Sequence, residues 1–332
     1  MELLLCILPV IVFLVFLFLL DSFKLVIKQI LFYCMLWGIA SAAIAYFLNT
    51  FLFENLHLNF RTGSLYIAPF IEELLKSLAI LLLIARKRIG FMIDAAIYGF
   101  AIGAGFSLTE NIVYLNTIDE NNLLIWIVRG FGTSLMHGGC TALFSVIFIG
   151  GKSRNSSNIV NITISLAVAY IIHSAFNHFH INPVIQTLGI IVVLPMIFIL
   201  IFKYNEKQLQ NWLEIEFSSE IELLNMIKKG HFSSTRAGEY LTSLKSRFSG
   251  ETILDMYCFI QIYLELSIKA KRNVMLKENG FDPIIENDID GKLKELSLLR
   301  KQIGKVGELT LSPLIRMNYR NLWKLNSLKN NI

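Results

Sequence analysis

The sequence predicts an all-α polytopic membrane protein of about seven transmembrane helices with a C-terminal cytosolic helical domain. Three observations carry this. The 332-residue chain is 55% hydrophobic and only 17% charged, against about a quarter charged in soluble domains. Apolar runs of roughly 20 residues, the length that spans a bilayer, recur over the first two-thirds of the chain. After about Lys203 the composition turns mixed-charge and rich in Leu, Ile, Lys and Glu.

The first element, "MELLLCILPVIVFLVFLFLL", lacks a basic leader and a small-residue cleavage site and is longer than a signal-peptide core. It reads as a retained first span. Hydropathy places the spans near 2–20, 27–52, 64–85, 91–115, 123–150, 158–180 and 184–204. Lys24 and Lys28 lie between the first two spans. Arg86, Lys87 and Arg88 follow the third, Lys152 and Arg154 the fifth, and Lys203 and Lys207 the seventh. The remaining loops hold Glu54, Arg61, Asp119 and Glu120, with little positive charge. The positive-inside rule then sets the N-terminus outside and the tail in the cytoplasm of a multi-pass cell-membrane protein.

The net charge of +5 says little about nucleic acid here, because cations cluster at the ends of apolar segments. That is the pattern of bilayer orientation, not of a nucleic-acid-binding face. Cys6, Cys34, Cys140 and Cys258 are far apart and form no CxxC pair, so they indicate neither a zinc knuckle nor a redox motif. Residues 1–204 form the membrane domain. In 205–332, "LQNWLEIEFSSEIELLNMIKK", "ETILDMYCFIQIYLELSIKAKR" and "GKLKELSLLRKQIGKV" show helical spacing and are separated by Gly230, Gly250, Gly280 and the Asp282-Pro283 turn. The tail carries no catalytic or nucleotide-binding motif.

Ionisable groups at membrane depth are expensive and mark function by default. The third span holds Glu72, Glu73 and Lys76. Glu72 and Lys76 are four apart and share a face, with Glu73 about 100° round the helix. One carboxylate is expected to pair with the lysine and the other to act as a base. The fourth span holds Phe106 and Glu110, the fifth His137 beside Gly138 and Gly139, and the sixth His173 and Asn177, again four apart. His178 and His180 are nearer the outer end and are expected at the interface. Under the topology above, the candidates converge on a layer roughly 8–20 Å below the outer surface. Each motif has a bland counterpart, such as a snorkelling ion pair or a hydrogen-bonded structural histidine. Independent interfacial groups would not share one depth.

EExxK (Glu72, Glu73, Lys76), FxxxE (Phe106, Glu110), a following membrane histidine (His137) and HxxxN (His173, Asn177) resemble the PrsW-like intramembrane proteases, relatives of the CAAX prenyl proteases. The likeness covers about residues 60–185. CAAX-type enzymes carry EExxxR and FxxxH, whereas Ser77 and Glu110 stand here. Asn177 departs in turn from the Asp common in the PrsW group. The resemblance implies cleavage of a membrane-anchored protein in the lipid bilayer, of the kind associated with site-1 cleavage of anti-sigma factors on the outer side.

The chemistry expected is hydrolysis without a covalent intermediate. Glu72 or Glu73 serves as base, a histidine assists, and His173 and Asn177 donate to the oxyanion. No cofactor is favoured. The alternative is zinc held by Glu110, His137 and His173. Rival classes are a transporter or proton relay, against which the lack of an inverted repeat speaks, and a non-catalytic scaffold.

Overall fold

The computed structural model describes residues 2–21, 24–117, 122–153, 156–286, 288–315, 323–325 and 328. Asp119, Glu120 and Arg154, used above for orientation, lie outside them. No strand occurs among the described residues, and the chain is an all-α polytopic membrane protein. Helix α1 is Glu2–Leu19, α2 Lys28–Asn55, α3 Ala68–Ala85, α4 Met92–Thr117, α5 Ser134–Ser153, α6 Asn158–Asn177 and α7 Pro183–Lys228. Among the described residues six stretches are long and apolar enough to cross a bilayer, 2–19, 28–55, 92–117, 123–153, 158–177 and 183–207. The remaining expected span is α3, whose three charged residues set it apart from these. Outward-facing Phe47 and Phe51 on α2, Ile159 and Ile171 on α6, and Leu188 and Leu200 on α7 are exposed. They are side chains for lipid to cover.

Helix α4 is buried on nearly every side, as expected of a helix apolar all round. Asp94 caps it by accepting from Gly90 N and Phe91 N, each at 2.8 Å. Its glycines set the spacing to its neighbours. A Cβ on Gly103 would lie 2.2 Å from the carbonyl oxygen of His137 on α5, and one on Gly105 would lie 2.1 Å from that of Met35 on α2. Small residues of this kind let helix backbones approach closely in a membrane.

Two helices begin irregularly. A π-helical turn, Gly63–Ile67, leads into α3, and a second, Val128–Thr133, leads into α5 from Leu123–Ile127. Such π turns gather at functional sites. Helix α7 also differs from expectation. It does not stop near Lys203 but runs unbroken to Lys228. The change in composition marks where water begins, and helix-forming residues continue through it.

The chain divides into two compact units, Met1–Asn205 and Glu206–Ile332. The second packs the end of α7 with α8 (Arg236–Ser243), α9 (Gly250–Glu278) and α10 (Ile289–Thr310) around Leu224, Ile227, Phe259, Ile260, Leu296 and Leu299. Gly230 and Gly280 take positive φ just past α7 and α9, the left-handed position glycine favours. Gly250 is the first residue of α9 rather than a linker, behind the Ser249 cap.

This unit buries two lysines. Glu220 accepts from Lys324 and pairs with Lys271, each at 3.2 Å, and Ser267 bonds both Glu220 and Lys324. Burial lowers the Lys324 ammonium to about 8. The unfolded chain, where lysine titrates near its ordinary value of about 10.4, then holds this proton more firmly. From this group the unit's stability rises with pH between about 8 and 10.4. Pulse proteolysis in urea of the full chain and of Lys324→Met should show that rise in the wild type alone. Equal pH dependence in both would refute it.

Candidate active site

Glu72, Glu73 and Lys76 occupy the first turns of α3, Glu110 the last turns of α4, His137 the first turn of α5 and His173 the last turns of α6. Neighbouring helices run in alternating directions, so these positions meet at one end of the bundle. The structure brings six of the seven sequence candidates into contact.

At the centre is Lys76, fully buried. Its Nζ lies 2.6 Å from Glu73 Oε1, 3.1 Å from His137 Nδ1 and 4.6 Å above the Phe106 ring. The lysine's partner is thus Glu73, three residues away, and not Glu72, four away. Both spacings share a helix face. Glu73 wins because its side chain is turned to the interior, where Oε1 also meets His173 Nδ1 at 2.8 Å. Glu72 is the carboxylate with no lysine or arginine bonded to it among the described residues. Asn49 Nδ2 reaches its Oε1 at 3.4 Å, and its Oε2 lies 3.8 Å from His173 Nε2.

These partners assign the histidine protons. An ammonium offers only donors, so His137 Nδ1 accepts, and its Nε2–H donates to Glu110 Oε2 at 2.9 Å. An ion-paired carboxylate offers only acceptors, so His173 donates Nδ1–H to Glu73 and turns a bare Nε2 toward Glu72. The two rings stand edge to face, 4.7 Å apart, with opposite tautomers.

Asn177 departs from expectation. Its Nδ2 donates to the Ser64 carbonyl at 3.2 Å, and Ser174 Oγ donates to the Leu65 carbonyl at 2.7 Å. Both carbonyls belong to the π turn ahead of α3. Asn177 therefore ties the end of α6 to the start of α3 and does not join His173 in a donor pair. His173 has its single N–H committed to Glu73. Outside the centre, His178 bonds Tyr66 Oη at 3.1 Å.

Sequence reasoning missed Asn49, Asn111 and Arg129. Arg129 Nη2 lies 3.3 Å from Glu110 Oε1. It is a cation inside an apolar span, which alone marks a functional candidate.

The ligand set also differs from expectation. Among the described residues, Glu72, His137 and His173 place one ligand atom each within 4.8 Å of one another. Glu110, expected as the carboxylate ligand, is bonded to His137 and Arg129.

An all-α bundle spanning the membrane, with Glu, Lys and His buried together near one end, defines a membrane protein built for polar chemistry inside the bilayer. The family model for "PrsW family intramembrane metalloprotease" matches residues 27–202, over half of the chain, and the chain belongs to the PrsW family. It is by that membership an intramembrane protease. Neither a curated protein nor a solved structure matches the chain.

Proposed function

We propose that the chain hydrolyses a peptide bond of a membrane-anchored protein with a water held between Glu72 and His173. The supporting observation is the 3.8 Å separation of Glu72 Oε2 and His173 Nε2. With Glu72 ionised both atoms are acceptors, so they repel unless a donor stands between them, and a contact of this length is one a water bridges. A water giving one O–H to each keeps a lone pair for the scissile carbonyl carbon. As its oxygen bonds to that carbon, Glu72 takes one proton. The proton passes to the departing amine as the C–N bond breaks, leaving acid and amine products. Glu73 is held to Lys76 and His173 and orients them. His173 becomes a donor only after taking up a proton, so the expected His173–Asn177 oxyanion pair is not part of this scheme.

The family description names a metalloprotease, and the donor set is compatible with zinc. Two imidazoles and a carboxylate converge, and His173 has on Nδ1 the carboxylate support common behind metal-bound histidines. Glu72, His137 and His173 would hold the ion, which when bound supplies a Lewis acid and lowers the pKa of water. His137 would first have to release its Nε2 proton from Glu110.

With the N-terminus outside, as the loop cations indicate, the centre lies in the outer half of the bilayer and the second unit is cytoplasmic. A substrate helix must unwind before it is cut, because its amides are bonded internally. Unwinding is easiest near the closer surface. Cleavage is then expected in or just outside the outer half of a single-span substrate, of which an anti-sigma factor is one example, and it releases the external domain. Mass spectrometry of the products, with reporter fusions after Lys207 to fix orientation, would locate the cut. A cut at the cytoplasmic end with that orientation would refute the reading.

A further inference from the structure

Glu110 and His137 do not stand alone. Arg129 lies in the π turn ahead of α5, and three groups grip its side chain. Its Nη2 is 3.3 Å from Glu110 Oε1, its Nε donates to Asn111 Oδ1 at 3.0 Å, and its guanidinium lies 3.6 Å over the Tyr114 ring. The grip is closed through the backbone. Asn111 Nδ2 donates to Ser134 Oγ at 2.8 Å, and Ser134 Oγ donates to the carbonyl of Arg129 itself at 3.0 Å. Asn111 Nδ2 also reaches the Cys6 carbonyl of α1 at 3.2 Å. A planar fork held by a stack, one hydrogen bond and one ion pair is a fixed object, which a lysine would not be.

We propose that Arg129 is the positioning residue of this centre. By fixing Glu110 Oε1 it aims Oε2 at His137 Nε2, and so, with no metal bound, keeps His137 a hydrogen-bond donor instead of a base. Two cations enforce one tautomer from opposite sides of the ring. Lys76 requires a lone pair at Nδ1, and Arg129, through Glu110, requires a proton at Nε2. The consequence is a division of labour between two histidines 4.7 Å apart. His137 is locked as donor, and the bare Nε2 of His173 faces Glu72. The functional meaning rests on the hydrolase reading above, but the tautomer does not.

The test is nitrogen-15 NMR of the full chain, histidine-labelled, chelator-treated and in detergent at one fixed pH. Glu110→Gln and His137→Gln assign the ring signals. The wild type should show His137 protonated at Nε2, with slow exchange against water. In Arg129→Gln that proton should exchange at least about tenfold faster, the effect of roughly 1.4 kcal/mol of lost restraint. Arg129→Lys keeps the charge but loses the Asn111 bond and the flat stack, and should fall between the two. Whichever variant folds decides the matter. An Nε2–H signal unchanged from wild type, or a wild-type ring protonated at Nδ1, overturns the proposal. The measurement needs no substrate, so a failure of proteolysis would count against the hydrolase reading alone.

Discussion

Glu72→Gln should lower turnover of a single-span substrate by about 10²–10⁴-fold, the usual contribution of a positioned base, with little change in fold. The amide is nearly isosteric, and Glu72 has no lysine or arginine partner among the described residues whose pairing would be lost. Glutamine cannot take a proton from water, and its NH₂ would turn a donor toward the bare Nε2 of His173 and occupy the place of the water. Co-reconstituted enzyme and substrate, followed by product formation, would measure the effect. The chelator arm separates the two chemistries. Without a metal requirement, chelated wild type keeps its rate and Glu72→Gln stays inactive. With one, chelation abolishes the rate, zinc restores it, and Glu72→Gln, His137→Gln and His173→Gln each bind zinc more weakly. Activity of Glu72→Gln within tenfold of wild type would remove Glu72 from both schemes.

Much of this centre was legible because a bilayer makes buried charge conspicuous. Glu72, Glu73, Lys76, Glu110, His137 and His173 stand out against apolar runs, and their shared depth follows from counting residues. Pairing was not legible. The spacing of Lys76 allows either carboxylate, and the choice depends on which face α3 turns to the histidines of α5 and α6, a tertiary fact. Asn177 shares a helix face with His173, yet its partner is a carbonyl in a π turn that no hydropathy pattern announces. Arg129 was legible in principle. A cation inside a span that the positive-inside rule does not use is a charge in search of a partner, and Glu110 is that partner. The end of α7 was illegible because hydropathy reports where lipid stops, which need not be where a helix stops.

Lys76→Met should be the most damaging single change to stability. Lys76 is fully buried, and its ammonium is bonded to Glu73, faces His137 Nδ1 and sits over Phe106. Removing one partner of a buried pair leaves the other charge uncompensated, at a cost of about 3–5 kcal/mol. Here the orphan is Glu73, left with His173 alone. The loss reaches His137, which no longer faces a donor at Nδ1. His173 keeps its Nδ1–H on the Glu73 carboxylate until that charge is removed as well, and only then is its proton free to sit on either nitrogen, leaving the acceptors that hold the water undefined. Activity is expected to vanish together with stability, and the double variant Lys76→Met/Glu73→Leu separates the two effects. Apolar residues of similar volume often replace a buried ion pair without loss. The double variant should therefore recover most of the thermal stability, read by tryptophan fluorescence, and none of the proteolysis. If the single variant melts like wild type, the pair does not hold the bundle together. If the double variant regains activity, the histidine tautomers do not depend on it. Stability without activity in the double variant is the outcome expected of charges kept inside a bilayer for chemistry, because an apolar pair would serve the fold equally well.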